Sequence, residues 1–274
     1  MKLLVDSGGT KTHWCSLFPD GSTRHFFTGG MNFMSMAPET IAPILRKAAD
    51  AVGPGVEEVH LYAAGLVERP QTPLEPYFPG AKVFYETDLL GAARAVCGHA
   101  EGIAVILGTG SNSCLYDGKG IVRNIRPGGF ILGDEGGGAA LGKSFLADLI
   151  KGLVPEETAA AYAAEGFPAD YLSIVKEVYR GATPAKFLGS LAPFLVGRYN
   201  TDTYVRELVD ANFRSFIRRV LLQYGLEGPV GVVGGFGYAC RDILERLGRE
   251  AGLRLTSFLA SPMEGLIAYH AYGL

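Results

Sequence analysis

Leu3-Leu4-Val5-Asp6-Ser7-Gly8-Gly9-Thr10-Lys11-Thr12 and Ala104-Val105-Ile106-Leu107-Gly108-Thr109-Gly110-Ser111-Asn112 decide the fold. Each is an apolar strand that runs straight into a glycine turn flanked by hydroxyls. Glycine lets the main chain approach an oxyanion where a Cβ would block it, so each turn can present bare N–H groups to a phosphate. Two such turns imply a nucleotide held by two halves of the chain.

The surroundings of the two turns repeat. The first half reads as strands at 2–6, 13–18 and 22–28, a helix at 38–52, a strand at 58–63, a Pro-rich loop at 66–79, a strand at 82–85 and a helix at 88–98. The order restarts with strands at 103–107, 112–117 and 120–125. A helical stretch over 139–226, a strand at 229–233, a helix at 238–252, a strand at 254–258 and a last helix from about 262 complete it. Three hairpin-linked strands followed by alternating helix and strand make a mixed sheet. The expectation is an α/β protein of two domains, 1–101 and 102–261.

Composition agrees with two cores: 274 residues are 48% hydrophobic and 19% charged. A net charge of −3 without long runs speaks against a nucleic-acid surface and favours a small-molecule partner. Cys15, Cys97, Cys114 and Cys240 are isolated, which suggests neither a disulfide framework nor a zinc site. No apolar stretch is long enough to span a bilayer, and Asp6 comes too early for a signal peptide, so the expected location is the cytoplasm with no membrane partner. His13, His25, His60, His99 and His270 are scattered, with no Ser or Cys arrangement that makes one catalytic.

Individual residues have two readings each. Asp6, closing a buried strand, could bind Mg²⁺ directly or through its waters, or could simply bond a turn N–H. Thr10, Lys11 and Thr12 bring hydroxyls and a cation to phosphates, although Lys11 could be only a solvated turn residue. Thr109 and Ser111 do the same in the second turn, whose plainer reading is a tight hairpin. Asp88, in Phe84-Tyr85-Glu86-Thr87-Asp88, is a candidate base or a first-turn acid of a helix. Gly234-Gly235 leaves room for a purine and ribose on the main chain, or is an ordinary strand-to-helix turn.

Two motif matches mislead. Gly137-Gly138-Ala139-Ala140-Leu141-Gly142-Lys143-Ser144 satisfies the P-loop pattern, but Asp134-Glu135 stands where a buried strand should be. Apolar residues at 141, 145, 146, 149 and 150 instead predict a helix already running through Lys143. The run Gly108-Thr109-Gly110-Ser111-Asn112-Ser113 lacks the third glycine of a Rossmann fingerprint and leads into a strand.

The Asp-x-Gly-Gly-Thr turn, the Gly-Thr-Gly-Ser turn, the late Gly-Gly and the string Gly129-Phe130-Ile131-Leu132-Gly133-Asp134-Glu135-Gly136 occur here in order. Together they resemble the phosphate and adenosine motifs of the actin-like ATPase and sugar-kinase superfamily. Within it they resemble the N-acetylglucosamine kinase family, grouped with the BadF/BadG/BcrA/BcrD-type activator ATPases. The resemblance implies two ribonuclease H-like domains with an inter-domain cleft, and a last helix, 262–274, that packs back on the first. It implies ATP and Mg²⁺ as cofactors, bound by Asp6, Gly8, Gly9, Thr10, Lys11, Thr12, Gly108, Thr109, Gly110, Ser111, Gly234 and Gly235, with Asp6 on the metal. Asp88 falls in the family's Thr-Asp dipeptide and is implied as the catalytic base.

Asn32, Gly65, Gly129, Asp134 and Glu135 are implied as sugar contacts alongside Asp88. Polyols need paired donors and acceptors, which Asn and carboxylates supply. The plainer reading is an Asn in a Gly-rich turn and an acid pair before a helix. The implied reaction is phosphorylation of an amino sugar at its 6-hydroxyl. The alternative is an ATPase that drives a partner enzyme's conformation, from which this chain departs in lacking the Cys-Gly-Thr-Gly-like cysteine of the activators. A homodimer is expected by resemblance alone.

Overall fold

The computed structural model describes residues 1–8, 11–33, 36–66, 70–225 and 228–271. The chain divides into two compact units. The first comprises Met1–Glu101, Tyr116–Ile121 and Ser261–Leu274, and the second Gly102–Leu115 and Val122–Ala260.

In the first unit, β1 (Lys2–Ser7), β2 (Lys11–Leu17), β3 (Thr23–Gly29), β4 (Glu58–Ala63) and β5 (Lys82–Thr87) form one sheet in the order β3-β2-β1-β4-β5. The hairpin strands pair antiparallel, and β1, β4 and β5 run parallel in register, with Ser7 opposite Ala63 and Ala63 opposite Thr87. Such a strand order is that of a ribonuclease H-like sheet. Leu3 and Val5 point to one face, where α1 (Pro38–Val52) buries Ile41, Leu45, Ala48 and Val52 at helical spacing. Leu4, on the other face, meets Met263 and Leu266 of the last helix, α12 (Met263–Ala271). The central strand is therefore apolar on both sides, as parallel pairing requires.

The second sheet repeats that order: β6 (Glu101–Leu107), β7 (Ser111–Asp117), β8 (Ile121–Asn124), β9 (Pro229–Val233) and β10 (Arg254–Leu259) lie as β10-β9-β6-β7-β8. Between β8 and β9 the helical stretch resolves into α3 (Gly129–Leu132), α4 (Gly138–Leu149), α5 (Glu156–Ala164), α6 (Tyr171–Arg180), α7 (Pro184–Ser190), α8 (Ala192–Gly197) and α9 (Thr203–Arg219). Ile103, Val105, Phe145, Phe213 and Val232 belong to one buried core joining these helices to the sheet.

Two local expectations change and one holds. The helix after β9 is broken at Cys240 into α10 (Gly235–Ala239) and α11 (Arg241–Glu250). The glycine string at 129–136 contains a one-turn helix, α3, that its composition hides. Helix α4 begins at Gly138 and has Lys143 in its middle, so the P-loop pattern is embedded in a helix, as the apolar spacing predicts.

Candidate functional site

Parallel strands place chain ends together, and both sheets gather the candidate residues at the C-terminal edge of their parallel strands, where open α/β sheets bind ligands. In the first unit that edge carries Asp6 and Ser7 from β1, Ala64 and Gly65 after β4, and Asp88 directly after β5. Ala64 N–H donates to the Ser7 carbonyl at 2.9 Å, which sets Gly65 beside the end of β1.

Asp88 opens α2 (Asp88–Cys97). Thr87 caps this helix by accepting the Leu90 N–H at 3.2 Å, and Asp88 Oδ1 accepts the Leu89 N–H at 2.9 Å. The helix lies close on the sheet because Gly91 has no side chain: a Cβ there would be 2.9 Å from the Tyr62 ring. Tyr62 pairs in register with Asp6, so the seat of α2 brings Asp88 towards Asp6. The Asp88 charge reaches Asp6. Burial first, then the Asp88 charge, push the Asp6 pKa up to about 7, with Lys11 pulling it down. Burial also raises Asp88, against the bond from Leu89 N–H.

A hydroxyl pair ties the same edge to Asn32. Ser7 Oγ and Thr12 Oγ1 are 2.7 Å apart and reach the Met31 and Gly29 carbonyls at 3.0 and 3.1 Å, while Ser7 Oγ accepts the Met31 N–H at 3.1 Å. Asn32 follows directly. Thr12, expected at the phosphates, is fully buried, and its hydroxyl holds the strand ends together. Lys11 is exposed, and its carbonyl accepts the Gly8 N–H at 3.1 Å to close the first turn. Gly9 and Thr10 lie outside the described residues.

In the second unit the glycine turns meet. Gly234 has φ +123° and packs on the end of β6, where a Cβ would lie 2.3 Å from the Leu107 carbonyl oxygen, next to Gly108. Thr109 and Gly235 are exposed beside them. The Asp134–Gly138 segment is fastened to this edge, because Gly138 N–H donates to Gly108 O at 2.9 Å and Ala139 N–H to Thr109 O at 2.8 Å.

Asp134 and Glu135, expected to act as a pair, are separated. The Asp134 carboxylate lies over Gly110 and accepts the Ser111 N–H; burial outweighs that bond and raises its pKa, with the Glu135 charge adding to the rise. Glu135 Oε1 instead pairs with Arg219 Nε of α9 at 2.7 Å. Gly110 therefore admits Asp134, where the sequence suggested a phosphate against its main chain. Ser111 is buried, and Gly129 is exposed at the start of α3. Sequence reasoning missed Asn212, whose Oδ1 accepts the Gly136 N–H at 3.2 Å and whose Nδ2 donates to the Gly137 carbonyl at 3.3 Å. No spacing rule reaches across the intervening helices to find it.

Residue chemistry fits the expected cofactors. Mg²⁺ takes one or two carboxylates and completes its shell with water and phosphate oxygens, and Asp6 beside Asp88 is such a hard-oxygen donor set with excess negative charge. Gly108 and Gly235 have free space where a Cβ would stand, as main chain that receives a nucleotide requires.

Two ribonuclease H-like sheets, each ending in a glycine turn, define a protein of the actin-like ATPase superfamily. No protein-family model matches the chain, and no curated protein matches it significantly. Among solved structures it is similar to a candidate N-acetylglucosamine kinase of Porphyromonas gingivalis, at 37% identity and TM-score 0.90 over 100% of this chain and 99% of that one. A candidate N-acetylglucosamine kinase of Chromobacterium violaceum is similar at 23% identity and TM-score 0.75, covering 98% of both chains. A ROK hexokinase of Thermus thermophilus shares the fold at 16% identity and TM-score 0.55, over 97% of this chain and 96% of that one. The chain belongs to the N-acetylglucosamine kinase family of sugar kinases.

Proposed function

We propose that this protein transfers the γ-phosphoryl group of ATP to the 6-hydroxyl of an N-acetylglucosamine-like amino sugar. The observation that carries this reading is the placement of Asp88 at the start of α2, close enough for its charge to raise Asp6, at the edge that also bears Gly65 and Asn32. Asp88 accepts the hydroxyl proton as that oxygen attacks the γ-phosphorus; an O–P bond forms, the bond to the β-phosphate oxygen breaks, and ADP leaves. A positioned base of this kind contributes about 10²–10⁴-fold. A carboxyl raised by burial suits the task, since its proton affinity is nearer that of a solution at neutral pH.

The chain's other residues bind and orient. Asn32, Gly65, Gly129 and Asp134 hold sugar hydroxyls, and Glu135 adds its carboxylate from its ion pair with Arg219. The main chain of Gly8, Gly9, Gly108 and Thr109 takes the phosphates, with the Thr10 and Thr109 hydroxyls and Lys11 around them, while Thr12 and Ser111 stay buried beneath the turns and Gly110 makes room for Asp134. Gly234 and Gly235 take the nucleoside. Asp6 holds Mg²⁺, which when bound neutralises phosphate charge and orients the oxygens of the transferring group.

ADP release measured over a panel of hexosamines and N-acylhexosamines, followed by NMR assignment of the phosphorylated carbon, tests the proposal. ADP formation that depends on an N-acyl sugar, with phosphate on C6, is the expected result. ADP release independent of every sugar contradicts it and is the behaviour of a partner-driving ATPase.

A further inference from the structure

Phe27 is an exposed aromatic ring without a core to serve. Its neighbour Phe26 points to the other face of β3 and stacks on the buried Trp14 at 5.7 Å, so the alternation of the strand sends Phe27 outward, 56% exposed. There the ring has two specific contacts. The His13 ring stacks on it at 4.3 Å and 27°, and the Lys11 ammonium lies 5.3 Å from its centroid. His13 is braced in turn by His25, Nε2 to Nδ1 at 3.0 Å, and His25 Nε2 lies 3.1 Å from Thr23 Oγ1. Strand register explains the arrangement, because His13 faces Phe27 directly and Lys11 lies two residues along on the same side of β2.

Lys11 is also the residue at which the first glycine turn re-enters the sheet, its carbonyl bonded to Gly8 N–H. A lysine stem has much rotamer freedom, and an ammonium that must find a phosphate from solution gives up that freedom on binding. A ring held rigid on the strand restricts the ammonium beforehand, through attraction to its π face. His13 stays uncharged at neutral pH, held down to about 4 by burial, His25 and Lys11, so it adds no second cation at the ring.

We propose that Phe27, braced by His13, is a positioning residue that seats the Lys11 ammonium for the phosphates of the nucleotide. The proposal rests on the kinase reading above, in which Lys11 meets those phosphates. Its consequence falls on nucleotide affinity, with little effect on turnover at saturation.

A double-mutant cycle tests it, with calorimetric binding of a non-hydrolysable ATP analogue in Mg²⁺ as the readout. Phe27→Leu is expected to weaken binding about threefold to fivefold, the size of an exposed cation–π contact, and Phe27→Tyr to restore it. Thermal unfolding should be unchanged in both, since the ring is not part of a core. In a Lys11→Met background, Phe27→Leu should have no further effect. Equal affinity of wild type and Phe27→Leu, or full additivity of the two substitutions, would overturn the proposal while leaving the kinase reading in place. Absence of analogue binding by the wild type would overturn both.

Discussion

Asp134 occupies the space that a side chain on Gly110 would need: a Cβ there would lie 2.5 Å from Asp134 Oδ2. Asp134 also has φ +57°, the one non-glycine residue with positive φ among those described. Such backbone persists only where its surroundings over-determine it, and it clusters at functional sites. Here the Pro127 carbonyl, which accepts Asp134 N–H at 2.8 Å, and the Ser111 N–H fix both ends of the residue.

Gly110→Ala therefore displaces the Asp134 carboxylate. The expected outcome is a KM for the sugar raised by more than about tenfold at a nearly constant KM for ATP, with roughly 1–3 kcal/mol lost from folding. Steady-state kinetics against each substrate and urea unfolding measure the two effects. Equal rises in both KM values would argue against Asp134 as a sugar contact.

Asp6→Asn removes one of two like charges crowded at the end of β1. Without ligands the variant should unfold at a higher temperature than wild type, by on the order of 1–2 kcal/mol of stability, as when function holds a site away from its stability optimum. The same change should abolish the extra thermal stabilisation that Mg²⁺ gives in the presence of ATP. A variant less stable than wild type that still responds to Mg²⁺ would be contrary to Asp6 as the metal ligand.

Lys143 separates this fold from a P-loop protein. Its ammonium donates to the Phe130 carbonyl at 2.8 Å from the middle of α4. Lys143→Ala should change kcat/KM by less than about threefold, whereas loss of a true P-loop lysine removes a direct phosphate contact. A loss of a hundredfold or more would restore the P-loop reading.

His270 is one source of acid sensitivity in the first unit. Its Nε2 lies 2.8 Å from the Tyr62 hydroxyl, which also accepts from Arg94 Nη1 at 2.9 Å, and its ring is 4.1 Å from that of His60. Burial, then the charges of His60, Arg94, Lys2 and His99, take its pKa down to about 3. The Glu58 and Glu86 carboxylates sit farther along the same network, paired with His60 at 3.1 Å and Arg94 at 3.6 Å. Because the folded value is below the unfolded one near 6.5, the unfolded chain binds the extra proton. The stability that His270 contributes is complete above about pH 6.5 and is lost as pH falls towards 3. Urea unfolding at pH 7 and pH 4.5 should show His270→Gln losing about 2 kcal/mol less on acidification than wild type. Parallel losses would place the acid sensitivity elsewhere.

Periodicity and turn chemistry made both sheets legible, because β1, β6 and β9 are short apolar runs ended by glycine. The restart at 103 was visible for the same reason. Contacts between distant side chains were not: Glu135 finds Arg219, Gly136 finds Asn212, and Tyr62 finds His270 only once the helices pack. The histidines looked scattered in sequence and are paired in space, His13 with His25 across a hairpin and His60 with His270 between strand and helix. Hydroxyls near a glycine turn likewise carry no mark of direction, and Thr12 points inward. Asp88 was recognisable as a helix-opening acid, but its approach to Asp6 depends on Gly91 allowing α2 onto Tyr62.

The most direct measurement is the rate of sugar phosphorylation by Asp88→Asn at saturating MgATP and N-acetylglucosamine, with analogue binding measured on the same preparation. The amide keeps the shape of the helix start and cannot take the proton, so kcat should fall by about 10²–10⁴-fold while nucleotide affinity stays within about twofold. A kcat within tenfold of wild type would contradict the assignment of Asp88 as the base.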